Sequence, residues 1–242
     1  LSDKVLPTTV FTAHPDWPPS TRAWALVFVL LAAYAIAFVD RQILSLLVEP
    51  VRRDLAISDT QFSLLAGVAF TLFYSVMGIP CAWLADRGSR RNLVFVSMLF
   101  WSAMTAACGF ASSFAALFAA RIGVGIGEAG LSPAAYSMIS DSFPPERRAR
   151  AIGAYNIGAI GGVGIAFIIG GSVVQWAINA PPVALPGIGV LAPWQLAFLL
   201  VSLPGPLLAL GLLAFREPRR HEGVRAPTDG APEFTAFLRE RG

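Results

Sequence analysis

Six apolar stretches divide the sequence, at roughly residues 23–48, 61–84, 92–109, 114–142, 150–176 and 194–215. Each is about 18 residues or longer, enough for a helix to cross the hydrocarbon core of a bilayer. Strands are excluded over such runs, because an open sheet edge in lipid leaves backbone N–H and C=O groups without partners. The chain is 55% hydrophobic and only 14% charged, against about 25% charged in soluble domains. An ordinary water-soluble enzyme and a disordered chain are both excluded. The fold class expected is all-α integral membrane, a six-transmembrane-helix bundle over 23–215, with polar ends at 1–22 and 216–242. Pro80, Pro133, Pro204 and Pro206 fall inside the stretches and mark bends, which neighbouring helices in a membrane can re-satisfy.

The basic residues set the orientation. With the N-terminus inside, 14 of the 18 Lys and Arg residues fall on the cytoplasmic side. They lie around Arg22, Arg87–Arg91, Arg147–Arg150 and the segment after Arg216, while Arg52 and Arg53 alone lie opposite. The positive-inside rule therefore places both ends in the cytoplasm of a multi-pass protein of, by its bacterial look, the inner (cell) membrane. The first 22 residues lack the apolar core and cleavage site of a secretory signal. The uncharged connection 177–193 is expected along the outer interface, with Trp176 and Trp194 at headgroup level.

Four ionisable residues fall inside the stretches: Asp40 and Arg41 in the first, Arg121 and Glu128 in the fourth. A charge at mid-bilayer costs at least about 2.5–3.5 kcal/mol, so such groups face a partner or a cavity. Their formal charges sum to zero, as pairing requires. Arg121 and Glu128, seven residues apart, share one helix face. Glu128 lies deep in its stretch and is the first candidate for proton coupling, with Asp40 the second. Arg41 and Arg121 are candidate charge partners, or receivers of an anionic substrate headgroup, since a guanidinium keeps its charge and forks onto phosphate. About seventeen residues precede Asp40 in its stretch, which leaves a position near the outer mouth open for Asp40 and Arg41. The alternative role for the quartet is a static ion pair that fixes helix packing.

Several other chemistries find no support. Gly125-Ile-Gly127-Glu-Ala-Gly130 fits the dinucleotide fingerprint G-x-G-x-x-G, but that fingerprint needs a strand before it, and here it lies within one apolar helix. Gly123 with Gly127, and Gly158 with Gly162, fit small-residue helix packing instead. His14 and His221, the only histidines, sit in the polar ends, so no metal and no cofactor is expected. Ser132 has no base near it in sequence, which argues against an enzyme. Cys81 and Cys108 fall in apolar stretches and read as small buried hydrophobes. The arginine clusters lack the aromatic interleaving of a nucleic-acid platform.

Four segments carry a family resemblance. Cys81-Ala-Trp-Leu-Ala-Asp-Arg-Gly-Ser-Arg-Arg91 resembles the signature loop of the major facilitator superfamily, Gly-x-Leu-Ala-Asp-Arg-x-Gly-Arg-Arg, with Ala82 and Ser89 replacing its glycines. Arg121-x-x-x-Gly125-x-Gly-Glu-Ala129 is similar to its fourth-helix motif, and Asp141 matches the acidic residue that pairs with the loop arginines. Phe38-Val-Asp-Arg-Gln-Ile-Leu, AISDTQFSLL at 56–65 and RIGVGIGEAG at 121–130 together resemble the spinster-like branch. The resemblance implies a twelve-helix transporter with alternating access, of which this chain is the N-terminal half and the C-terminal six-helix half the partner. It further implies proton coupling, a lysolipid or sphingolipid-like amphipathic substrate, and a cytoplasmic gate at Asp86, Arg87, Arg90, Arg91 and Asp141. The alternatives are a carrier of a small organic anion or drug, and a membrane partner subunit without transport.

Overall fold

Among the described residues six helices are long and apolar enough to cross a membrane: span 1 (Ser20–Leu46), span 2 (Asp59–Arg87), span 3 (Arg90–Gly109), span 4 (Phe114–Ser140), span 5 (Pro145–Asn179) and span 6 (Pro193–Leu213). The computed structural model describes residues 17–179, 183–185 and 189–220. Most of the expected polar ends, with His14 and His221, lies outside the described residues.

The ends of the spans follow from local chemistry. Ser58 opens span 2 with a capping box: its hydroxyl accepts from the Gln61 N–H (3.2 Å), and Gln61 Oε1 accepts from the Ser58 N–H (2.9 Å). Ser89 and Ser113 cap spans 3 and 4 by accepting from the N–H groups of Asn92 and Ala116. Such caps satisfy N–H groups that the first helical turn leaves unpaired. Two of the helices break before prolines, while Pro80 lies inside the unbroken segment Ala69–Arg87. Span 4 breaks at Ala129–Gly130, four residues before Pro133, because Pro133 has no N–H to return to the Ala129 carbonyl. Span 6 breaks at Leu203, before Pro204. In span 2 a π-helical turn, Leu64–Val68, surrounds Gly67.

Two elements were not anticipated. A short helix, Val48–Leu55, follows span 1, buries Val51 and turns Arg53 outward. It ends at Ala56, whose φ of 50° lets the chain reverse into the cap at Ser58. Val183–Leu185 and Gly189–Leu191 pair as an antiparallel hairpin between spans 5 and 6. Trp194 is 1% exposed and donates from Nε1 to Asp54 Oδ2 (2.8 Å). The indole finds its partner on the short helix, whereas Trp176 is exposed.

The glycines decide how closely the spans approach. A β-carbon at Gly125 would stand 2.6 Å from the Phe70 carbonyl oxygen of span 2, and one at Gly127 2.8 Å from the Trp101 backbone nitrogen of span 3. Gly158 and Gly162 press on Leu31 and Ala35 of span 1 in the same way, and spans 1 and 5 form the most extensive packing pair. The fingerprint-like glycines therefore serve helix packing. Spans 2 and 5 are the least enclosed, with Ile79, Ile160 and Ile168 among their exposed side chains. A cavity of about 510 Å³, lined by Pro18 and Arg22 on one side and Arg216 and Glu217 on the other, lies between the two described ends of the chain. Both therefore meet at one end of the bundle, here the basic end.

Candidate functional site

The four intramembrane charges come together where spans 1, 2, 3 and 4 meet. Arg41 Nε donates to Glu128 Oε2 at 2.7 Å, with the Glu128 side chain fully buried and the Arg41 side chain 21% exposed. Sequence spacing left the partner of Glu128 open between Arg121 and Arg41; the structure gives Arg41. Arg121 instead donates from Nη1 to the Asp40 carbonyl oxygen at 3.2 Å. Asp40 is 1% exposed, so it lies inside the bundle rather than at a mouth.

Helix geometry explains the arrangement. Asp40 and Arg41 are adjacent on span 1 and point about 100° apart, so the carboxylate enters the interior while the guanidinium reaches its edge. Glu128 closes the first segment of span 4, and Gly125 and Gly127 bring that segment onto spans 2 and 3. Three rings surround the Arg41 guanidinium: Phe38 at 5.0 Å, Phe70 at 4.8 Å and Tyr74 at 4.7 Å. Cation–π attraction of this kind contributes about 0.5–2 kcal/mol per ring. Arg41 is thus held in place by more than Glu128 alone. Phe70 also lies 5.5 Å from the Arg121 guanidinium.

Several polar atoms here are buried without a hydrogen-bond partner: both Asp40 carboxylate oxygens, Glu128 Oε1, Arg121 Nε and Thr105 Oγ1. Buried polar atoms are ordinarily paired, so their concentration at one point is unusual.

The second cluster sits at the basic end. Arg90, 1% exposed, ion-pairs with Asp141 and with Glu217 (Nε to Oε1, 3.1 Å). It donates further to Ser137 Oγ at 3.0 Å and to the Pro218 carbonyl at 2.6 Å. The Arg90 backbone N–H (2.9 Å) and the Ser89 hydroxyl complete the donors to Glu217. Burial pushes the Glu217 carboxyl up, but these hydrogen bonds and the Arg90 charge outweigh it and hold the group below the ordinary glutamate range. Arg220 then caps the end of span 2, donating to the carbonyls of Ala85 (2.7 Å), Gly88 (2.8 Å) and Asp86. A guanidinium is favourable at a helix C-terminus.

Of the five expected gate residues, Arg90 and Asp141 meet directly. Arg91 donates to the Phe215 carbonyl at 3.2 Å, and Asp86 takes part through its carbonyl. Arg87 does not join the cluster; its guanidinium lies over the Trp83 ring at 4.4 Å. Glu217 and Arg220 were missed, because nothing in the polar stretch after Phe215 separates a residue that folds back from a solvated one. Thr105 was missed as one hydroxyl in a long apolar stretch. Phe38 stood three residues before Arg41, a spacing that could have been read as a ring over the guanidinium.

Comparison with known proteins gives a family and relatives. The family model described as Major Facilitator Superfamily matches residues 30–241. An MFS-type efflux pump of Mycolicibacterium smegmatis is 34% identical over 222 residues, covering 91% of this chain and 47% of that protein. A probable L-galactonate transporter of Escherichia coli is 30% identical over 200 residues, covering 83% of this chain and 41% of its own length. Among solved structures, a bacterial homolog of the human lysosomal transporter Spinster, inward-facing and unoccupied, superposes with a TM-score of 0.78 at 34% identity, covering 91% of this chain and 49% of that one. The chain spans about half the length of the relatives it matches.

Proposed function

The chain belongs to the Major Facilitator Superfamily, and on that premise we propose that it is one six-helix half of a proton-coupled secondary transporter for an anionic, lysolipid-like amphipathic substrate. One observation carries the reading: a fully buried Glu128 is ion-paired with an Arg41 that reaches the edge of the bundle. An arriving anion competes with Glu128 for that guanidinium. Once released, Glu128 is a buried carboxylate without its cation, and taking up a proton relieves the cost. Departure of the anion returns Arg41 to Glu128 and expels the proton. Asp40 is the second proton-coupling carboxylate and Arg121 its charge partner. The aromatic rings around Arg41 support this exchange, because they hold the guanidinium while its anion changes.

The partner is the C-terminal six-helix half of the same transporter. Its support is the exposed apolar surface of spans 2 and 5 together with the half-length matches. Transport then proceeds by alternating access, with the site at the interface of the halves. Asp86, Arg87, Arg90, Arg91 and Asp141 serve as the cytoplasmic gate, and the protein resides in the cell membrane with both ends inside. A second reading, a carrier of small organic anions, is favoured by the 30% identity to the probable L-galactonate transporter.

Two measurements on the assembled transporter separate these. In a competition binding screen of lysophospholipids against sugar acids, the lead reading expects lysophospholipids to compete; displacement by sugar acids alone replaces it with the second. In proteoliposomes, Glu128→Gln is expected to abolish uptake driven by a pH gradient. Unchanged driven uptake in that variant sinks the coupling role.

A further inference from the structure

We infer that the cavity at the basic end of the bundle is a binding site for the headgroup of an anionic phospholipid, with Arg22 and Arg216 as its phosphate ligands. The inference stands apart from the proton-coupled reading and needs only that the chain lies in a membrane.

The cavity, about 510 Å³, falls within the roughly 300–1,000 Å³ that small-molecule sites occupy. It opens between the first turn of span 1, which supplies Arg22, and the segment after span 6, which supplies Arg216, Glu217 and Arg219. Glu217 is committed elsewhere: Oε1 accepts from the Arg90 N–H and Nε, and Oε2 from the Ser89 hydroxyl. Its charge is answered there by Arg90. Arg22 and Arg216 are exposed, and among the described residues neither enters an ion pair. Two separate elements thus turn unmatched positive charge into one cavity, and a guanidinium forks onto phosphate oxygens. Span 1 opens at Pro19 with no side chain capping its first turn, so its N–H groups and helix dipole add to the field that draws an anion. A second cavity of about 150 Å³ shares Pro18, Ala23 and Ser142 with the first and adds Arg147 of span 5, extending the basic lining.

The walls favour a lipid over a soluble phosphate ester. Ala23, Leu26, Ala214 and Phe215 give the cavity an apolar side. Leu210 and Leu207 stand one and two turns before Ala214 on the same face of span 6 and are 59% and 70% exposed. Acyl chains can run along that face while the phosphate sits between the arginines. Basic residues beside a membrane attract its anionic lipids, and basic pockets between helices hold their headgroups. The position also gives the lipid a structural effect. Arg216 precedes Glu217 and Ser142 follows Asp141, the two acids that grip Arg90. A phosphate spanning Arg22 and Arg216 ties the start of span 1 to the segment that returns Glu217 to Arg90.

The test is native mass spectrometry of the assembled transporter in detergent micelles, titrated with dioleoylphosphatidylglycerol or dioleoylphosphatidylcholine. Phosphatidylglycerol is expected to bind more tightly by about fivefold or more, and Arg22→Gln and Arg216→Gln each to weaken it about fivefold. Arg150→Gln removes an exposed arginine near the start of span 5 that lines neither cavity, and is expected to change binding by less than about twofold. Equal binding of the two lipids overturns the inference. So does an equal loss in Arg150→Gln, which would mean diffuse surface charge. Displacement of the lipid by excess glycerol phosphate makes the occupant a soluble ester and overturns the lipid assignment. Hydrogen exchange over residues 214–220 is expected to slow on adding phosphatidylglycerol to the wild type and not to Arg22→Gln; equal slowing in both overturns the bridge from span 1. Helical circular dichroism of each variant identifies any that fail to fold.

Discussion

Arg90 and Glu217 offer the most quantitative test of how the basic end is held together. Replacing Arg90 by Ala removes a buried cation from between Asp141 and Glu217, and breaking a buried pair from one side costs about 3–5 kcal/mol. Glu217→Ala removes the acceptor of three donors: the Ser89 hydroxyl, the Arg90 N–H and Arg90 Nε. Hydrogen bonds to a charged group contribute about 1.5–3 kcal/mol each when buried. The Glu217 side chain is 25% exposed, and solvent screening brings the sum to about 2–3 kcal/mol. Only one of the three donors is the guanidinium, so a double-mutant cycle is expected to show a coupling of about 1–2 kcal/mol. Reversible unfolding of the chain in mixed micelles, followed by tryptophan fluorescence, gives all four corners. Strict additivity, within about 0.5 kcal/mol, refutes the argument. The pH dependence supplies a second reading. Because the folded-state value of Glu217 is depressed, its contribution is fully present above the unfolded glutamate value of about 4.3. It is lost as pH falls from there through the lowered folded value. The stability gap between wild type and Glu217→Ala should close over that acid window and stay constant above it.

Adjacent glycines on span 5 give a contrast in packing. Gly162→Ala drives a β-carbon to 2.9 Å from the Ala35 backbone and is expected to cost about 1–3 kcal/mol. Gly161→Ala meets nothing within 4 Å and should be neutral or stabilising by up to about 1 kcal/mol; the same micelle unfolding assay ranks them. At the opposite end of the bundle, Trp194→Phe keeps the buried ring but loses the bond to Asp54. It should cost about 0.5–1.5 kcal/mol and speed hydrogen exchange over Val48–Leu55, whereas unchanged exchange there would mean the bond does not hold that helix.

The spans were legible because length and apolarity alone decide them, and the observed ends fall within a few residues of those read, apart from the start of span 5 at Pro145. The charged quartet was legible for a related reason: Asp40, Arg41, Arg121 and Glu128 stand out against a background that excludes charge. Their pairing was not. Seven-residue spacing put Arg121 and Glu128 on one face, but partner choice depends on where span 1 stands relative to span 4, a relation between residues 87 positions apart. The rings around Arg41 come from two spans, and only Phe38 was near it in sequence. The bond from Trp194 was not legible because its partner, Asp54, lies 140 residues earlier. Glu217 and Arg220 were hidden within a basic, polar stretch, where folding back depends on the exposed carbonyls at the end of span 2.

The central claim is that Glu128 ties anion movement to proton movement through Arg41. The most direct measurement follows external pH as substrate is added to proteoliposomes holding the assembled transporter, wild type beside Glu128→Gln, with substrate exchange at equal internal and external concentration recorded in parallel. The account predicts a substrate-evoked pH change in the wild type. It predicts none in Glu128→Gln, while that variant still exchanges substrate. A pH change of equal size in both proteins would contradict it.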